Sequence, residues 1–186
     1  MNGDQKILTE LAIIELGSNV NPEKHLPAAV QSIAQIGSIR GISKVYETEP
    51  FGPPGQPPFI NAAIALETAL APLELRRTLR QIEAELGRQR SSDRYAPRQI
   101  DLDICLYGGE VIDSEQLTLP DPDIFERPYL ARTIAELVPD QIHPISGEPM
   151  QQIADQLDPD HSLQEMPALT QSCHAVWHNG MNGAPD

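Results

Sequence analysis

The 186-residue chain has 27 acidic against 13 basic residues, a formal net charge of −14, and enough length for one domain with a substantial core. An acid balance of that size argues against a nucleic-acid binder or a polybasic membrane anchor. No apolar run reaches membrane-spanning length, and the N-terminal MNGDQKILTE lacks a signal-peptide core. A soluble, cytoplasmic monomer is therefore expected. The two cysteines, Cys105 and Cys173, stand too far apart in sequence to suggest a disulfide framework.

Residues 1–10 read as a polar N-terminal extension. Leu11 to Leu16 is an apolar run of strand length, closed by Gly17-Ser18-Asn19 as a strand end and turn. Asn21-Pro22 fits a helix cap and first turn, although Pro27 could delay the start. Leu26, Val30, Ile33 and Ala34 keep helical spacing, and Gly37 ends the helix. Ile39 to Thr48 is predicted as a strand. Five prolines from position 50 to 58 exclude a helix or central strand there; the plain reading is a rigid surface connector. Phe59 to Leu66 is a strand whose polar Asn61 either satisfies neighbouring backbone or faces a ligand. Pro72 to Gly87 is a second helix, with Leu75, Leu79, Ile82 and Leu86 on its apolar stripe. Arg76, Arg80, Glu83 and Gly87 form another stripe, which taken alone is a solvated face.

Seven of the basic residues (Arg76, Arg77, Arg80, Arg88, Arg90, Arg94 and Arg98) fall in one 23-residue window, and no Lys or Arg follows Arg132. An acidic protein that gathers its arginines in one place is suited to holding an anion there. The window runs through a loop, Arg88 to Pro97, into a strand, Ile100 to Tyr107. Strict alternation puts Ile100, Leu102, Ile104 and Leu106 on one side and Asp101, Asp103, Cys105 and Tyr107 on the other. Asp101 and Asp103 thus share a face, roughly 6–7 Å apart at the backbone. Carboxylates that close repel unless a proton or cation lies between them, and magnesium favours one or two carboxylates plus substrate phosphates. The plain alternative is a solvated strand face with surface ion pairs.

Gly108-Gly109 then turns the chain, and Glu110 to Ile112 is expected to return as a short edge strand. Leu130 to Leu137 and Met150 to Leu157 read as helices. Residues 158–186 turn polar and irregular and are expected to form a weakly ordered tail. Cys173, His174 and His178 lack a fourth ligand and a metal-site spacing. The order strand, helix, strand, strand, helix, strand is the split βαβ arrangement, with helices on one face of a sheet.

Arg94, Ala96, Pro97, Arg98, Asp101, Leu102, Asp103, Ile104 and Leu106 together resemble the signature of the hydroxymethyldihydropterin pyrophosphokinase family. The apolar strand ending in Gly17-Ser18-Asn19 is the second point of resemblance. It covers roughly residues 11–157, taken as the pyrophosphokinase domain, and implies an α+β, ferredoxin-like βαββαβ core with appended strands and helices. It also implies transfer of the diphosphate of ATP to the hydroxymethyl group of a reduced pterin, with release of AMP, in folate biosynthesis.

By the same resemblance, Asp101 and Asp103 bind two magnesium ions, and Arg90, Arg94 and Arg98 act with them in catalysis. Glu83, Arg90, Arg94, Tyr95, Arg98, Thr118 and Arg127 are expected at ATP. Thr48, Phe51, Phe59, Asn61, Tyr95 and Tyr129 are expected at the pterin, with Phe59 and Tyr129 as its aromatic walls. The chain departs from the family at Tyr95, where many members carry Trp, and at Asp121, where His is usual. The competing reading is a non-catalytic ferredoxin-like module for a small ligand, which would need neither the acid pair nor the arginines. A P-loop kinase is excluded, because no G-x-x-x-x-G-K motif occurs.

Overall fold

A computed structural model describes residues 8–49, 55–88 and 96–181. The expectations for Phe51, Arg90, Arg94 and Tyr95, and for most of the N-terminal extension, lie outside the described residues. In chain order the core elements are β1 (Glu10–Ser18), α1 (Pro22–Ile33), β2 (Ser38–Ile42), β3 (Tyr46–Thr48), β4 (Phe59–Thr68), α2 (Pro72–Glu85) and β5 (Asp101–Tyr107). They are followed by β6 (Ile112–Asp113), β7 (Thr118–Leu119), a 3-10 turn (Pro122–Phe125), α3 (Pro128–Leu137), α4 (Met150–Leu157), β8 (Gln164–Glu165) and α5 (Pro167–Met181).

The main sheet runs β5-β1-β4-β3-β8, with β2 also on β4 and every pairing antiparallel. This is the expected ferredoxin-like core. The predicted strand from Ile39 to Thr48 is broken in two, yet both halves share one edge of β4. Between them Ser43 keeps contact, since its N–H donates to the Ala63 carbonyl at 3.0 Å and its Oγ accepts from the Ala63 N–H at 2.8 Å. Pro27 sits inside α1 rather than delaying it, and the Asn21 side chain makes no capping hydrogen bond. Gly37 is required by close approach, because a Cβ there would meet the Glu67 carbonyl oxygen at 2.5 Å.

Alternation along the strands sorts the apolar residues onto two faces. Ala12, Ile14 and Leu16 of β1, Ile60, Ala62, Ile64 and Leu66 of β4, and Leu102 and Ile104 of β5 pack with Leu26, Val30 and Ile33 of α1 and Leu75, Leu79 and Ile82 of α2. Ile13, Ala63, Ala65, Cys105 and Leu106 face the other way, against Leu130, Ala131 and Ile134 of α3 and Ile153 of α4. Helices therefore cover part of both faces, where one covered face was expected. Only one half of the second face carries α3 and α4. The other half presents Glu15, Gly17, Asn61, Asp101 and Asp103 to a cavity.

Strict alternation in β5 holds only as far as Ile104. The β1–β5 register passes from Ile14↔Ile104 to Ile13↔Leu106, so Cys105 is an extra residue. Such a bulge shifts the side chains beyond it. Leu106 consequently joins Cys105 on the α3 side and Tyr107 turns to the α1 side, the reverse of the sequence expectation for both. The expected edge strand from Glu110 to Ile112 is also corrected, since Ile112 and Asp113 pair only with β7, in a separate two-stranded sheet.

The segment expected to be a weakly ordered tail is structured from 158 to 181. β8 adds to β3 through Tyr46↔Glu165 and Glu47↔Gln164. α5 lies on α1 and buries Leu169 and Cys173 in the main core. Polar composition misled there because a few apolar residues on one side of α5 suffice to dock it. Among the described residues, no helix is long and apolar enough to cross a membrane.

Candidate active site

The uncovered half-face forms the floor of a cavity of about 590 Å³. At one end β5 displays Asp101 and Asp103. Arg88 contacts Asp101 Oδ1 through Nη1, and Arg98 contacts Asp101 Oδ2 through Nη1. The same Arg88 nitrogen reaches Glu83 Oε1, so one guanidinium ties α2 to β5. Glu83 is buried behind the strand, where its Oε1 accepts the Leu102 N–H at 2.8 Å, and it does not line the cavity. Burial raises its pKa despite these partners.

The Gly17-Ser18-Asn19 turn fixes the second arginine. The Arg98 N–H donates to Asn19 Oδ1 at 2.7 Å, and the Asn19 N–H donates to the Arg98 carbonyl at 3.1 Å. The end of β1 thereby clips the loop entering β5, which aims Arg98 at the acids. Its physical role was not legible in the bare tripeptide.

Asp103 opposes Glu15 across the β1–β5 ladder. Burial, then the charges of Asp101, Glu83 and Asp121, push the Asp103 carboxyl up to about 7, with Arg88 pulling it down. Burial and the Asp103 charge push Glu15 up to about 8, while a hydrogen bond from the Tyr129 hydroxyl at 2.8 Å opposes the shift. Asp121 also lines the cavity, and burial raises its pKa. Its carboxylate accepts the Asp123 N–H at 2.9 Å and caps the 3-10 turn.

Thr48, Phe59, Asn61, Arg127 and Tyr129 also line the cavity. Asn61 Nδ2 donates to Thr48 Oγ1 at 2.8 Å. A Cβ on residue 17 would stand 3.0 Å from Asn61 Oδ1, so Gly17 leaves room for the amide. Arg127 pairs with Asp123 at 2.6 Å and donates to the Tyr129 hydroxyl at 3.3 Å. Thr118 lies in an adjoining cavity of about 200 Å³, which shares Asp103 and Asp121 with the larger one.

The structure thus brings together Thr48, Phe59, Asn61, Arg98, Asp101, Asp103, Arg127 and Tyr129. It sets Thr118 beside them and Glu83 behind them. Two residues escaped the sequence reading. Arg88 had a signal, its place in the arginine window. Glu15 had another, as the lone acid inside LAIIELGS. Ser162, Leu163 and Gln164, from the segment expected to be a tail, also line the cavity.

The family model for 7,8-dihydro-6-hydroxymethylpterin-pyrophosphokinase (HPPK) matches residues 13–139. The chain belongs to that family. The HPPK match spans β1 to α3 and includes both acids of β5 with Thr48, Phe59, Asn61, Arg127 and Tyr129. A 2-amino-4-hydroxy-6-hydroxymethyldihydropteridine pyrophosphokinase of Haemophilus influenzae is 40% identical over 150 residues, covering 77% of this chain and 93% of that one. The enzyme of that name from Synechocystis is 34% identical over 169 residues, covering 89% of this chain and 78% of its own length. That of Bacillus subtilis is 40% identical over 133 residues, with coverage of 70% and 79%.

Among solved structures, wild-type Plasmodium falciparum HPPK-DHPS with pteroate matches with a TM-score of 0.66 at 12% identity over 86% of this chain. This chain covers 47% of that longer protein, and the likeness speaks for the fold alone. The chain is accordingly a pyrophosphokinase of folate biosynthesis.

Proposed function

We propose that the cavity binds ATP at its acidic end and 6-hydroxymethyl-7,8-dihydropterin at its aromatic end, and moves the diphosphate between them. The pterin hydroxymethyl oxygen attacks the β-phosphorus of ATP. A new O–P bond forms, the bond from the β-phosphorus to the oxygen bridging the α-phosphorus breaks, and that oxygen leaves with AMP. The hydroxyl proton passes to solvent. Transfers of this kind ask a protein mainly for alignment and charge neutralisation.

The observation that carries the reading is that Asp101 and Asp103 share one cavity with Asn61, Phe59 and Tyr129. Phe59 and Tyr129 flank the pterin, and Asn61, steadied by Thr48, reads its edge. Arg98 and Arg127 offset phosphate charge, with Thr118 near the nucleotide. Arg90 and Arg94 are proposed for the same task, with Phe51 and Tyr95 at the pterin; all four lie outside the described residues.

Magnesium fits the donor set. Glu15, Asp101, Asp103, Asp121 and Asp123 line the cavity; among the described residues Arg98 and Arg127 are the basic groups lining it, and Arg88 reaches Asp101 from behind. A triphosphate would be repelled from such a wall unless cations lay between. Burial, and after it the surrounding carboxylates, raise the pKa of Asp103. Asp101 and Asp103 would hold the ions, two being expected. Bound there, the metal would neutralise the phosphates and acidify the attacking alcohol. Asp101 would first exchange an arginine for this role, and Arg98 reaches it from the loop.

The proposal extends to a monomer working in the cytoplasm without a nucleic-acid partner, supported by the strongly acidic composition. Incubation with ATP, magnesium and the hydroxymethyl pterin tests the central claim. AMP and the pterin diphosphate are expected in equal amounts; ADP in their place would refute the transfer.

A further inference from the structure

We propose that Glu15 is a positioning residue that holds Tyr129, and through it Arg127, in the orientation the cavity requires. The inference rests on the proposed binding of pterin against Tyr129.

Three residues from two elements, β1 and the start of α3, form a chain of hydrogen bonds. Arg127, at the N-terminal boundary of α3, donates through Nη1 to the Tyr129 hydroxyl at 3.3 Å. Tyr129, in the first turn of α3, donates in turn to Glu15 Oε1 at 2.8 Å. Glu15 stands on β1 in the middle of the sheet, flanked by Ala63 on β4 and Asp103 on β5. All three side chains line the same cavity.

Each link has a physical consequence. A tyrosine at the start of a helix can swing about its side-chain torsions, and a hydrogen bond at the far end of the ring removes that freedom. The acceptor sits on an interior strand of a six-stranded sheet, paired on both sides, so the ring is referenced to a rigid layer of the fold. Because the hydroxyl also accepts from Arg127, a displaced ring would take one contact from the guanidinium and leave it to its ion pair with Asp123. Glu15 thereby couples the aromatic wall to an arginine of the phosphate end.

The placement is also informative because it is unfavourable by itself. Glu15 faces Asp103, Asp101 and Asp121, all acidic, and Ala63 offers it no polar partner. An apolar or small residue would avoid that repulsion. The hydroxyl of Tyr129 is the compensating contact found among the described residues.

The test is a double-mutant cycle on the full chain. Glu15→Ala and Tyr129→Phe are each expected to raise the pterin Kd, measured by calorimetry, and the pterin KM by about five- to tenfold, the size of one lost hydrogen bond. Glu15→Ala should add nothing in the Tyr129→Phe background. Glu15→Gln keeps the oxygen acceptor that Ala lacks, so it should restore most of the lost affinity. Faster flipping of the Tyr129 ring in Glu15→Ala, followed by NMR without ligand, is the accompanying signature.

Independent effects of the two substitutions, equal losses in Gln and Ala, or an unchanged ring would overturn the assignment. The ring measurement needs no substrate, so it decides the role of Glu15 even if the wild-type protein bound no pterin, a result that would instead count against the proposed function.

Discussion

Arg88 joins Glu83 at the end of α2 to Asp101 at the start of β5 with a single nitrogen. The Glu83 side chain is 3% exposed, so its carboxylate depends on this guanidinium and on the Leu102 N–H. Removing one partner of a buried ion pair leaves the other uncompensated. Arg88→Ala is therefore expected to lower unfolding stability by about 3 kcal/mol, read from denaturant melts, and to reduce turnover as Asp101 loses its orientation. Arg88→Ala with Glu83→Gln should recover much of the stability without recovering the turnover.

The two acids of β5 should separate by stability while agreeing in activity. Asp101 is held by two arginines, whereas burial and then neighbouring like charges push Asp103 up to about 7. Asp101→Asn should lower the melting temperature and Asp103→Asn should raise it at pH 8. Both should cut AMP release by about 100-fold or more, the scale of losing one electrostatic contact to a developing transition state. Near-normal turnover in either variant would remove that acid from the metal assignment.

Stability should fall as pH rises through the neutral range. Glu15 is held at about 8 in the folded chain against 4.5 for the free side chain. Between those values the unfolded chain has lost the proton that the folded chain keeps, so raising the pH favours unfolding. Thermal melts of the ligand-free protein from pH 5 to 8 are expected to decline. Glu15→Gln should flatten that decline, with Asp103 and Asp121, whose pKa values are also raised, supplying what remains.

Phe59→Ala should raise the pterin KM by about tenfold or more, as expected for loss of an aromatic contact, and leave the ATP KM close to its original value. Steady-state kinetics with each substrate varied in turn reads the split. A matching rise in the ATP KM would place Phe59 elsewhere than the pterin wall.

The C-terminal helix is expected to behave as part of the core. Leu169 is 8% exposed against α1, and Leu169→Ala should cost about 2–3 kcal/mol. Cys105 and Cys173 are both buried, and burial raises both thiols, so neither should react with thiol reagents until the protein unfolds.

Much of the site could be read from the chain because strand alternation is a local rule. Asp101 and Asp103 fall on one face by counting alone, and the resemblance pointed to Phe59, Asn61, Arg98, Arg127 and Tyr129. Long-range contacts were beyond such counting. Nothing local links Arg88 to Asp101, or Glu15 to Tyr129 at 114 residues' separation. The tail failed for a related reason: Leu169 and Cys173 find their partners on α1, more than a hundred positions away. The break at Cys105 was hidden too, because a bulge is defined by two strands and the sequence displays one at a time.

That kink in β5 lets a single strand serve two masters. Ahead of it Asp101 and Asp103 open onto the cavity; behind it Cys105 and Leu106, side by side, grease the same face for α3. Excising Cys105 would restore plain alternation, with Leu106 still under α3, Tyr107 still toward α1 and both acids still on the cavity face. Such a deletion should cost the packing of one buried thiol and spare the acids, so the spare residue serves the floor beneath α3 and not the carboxylates.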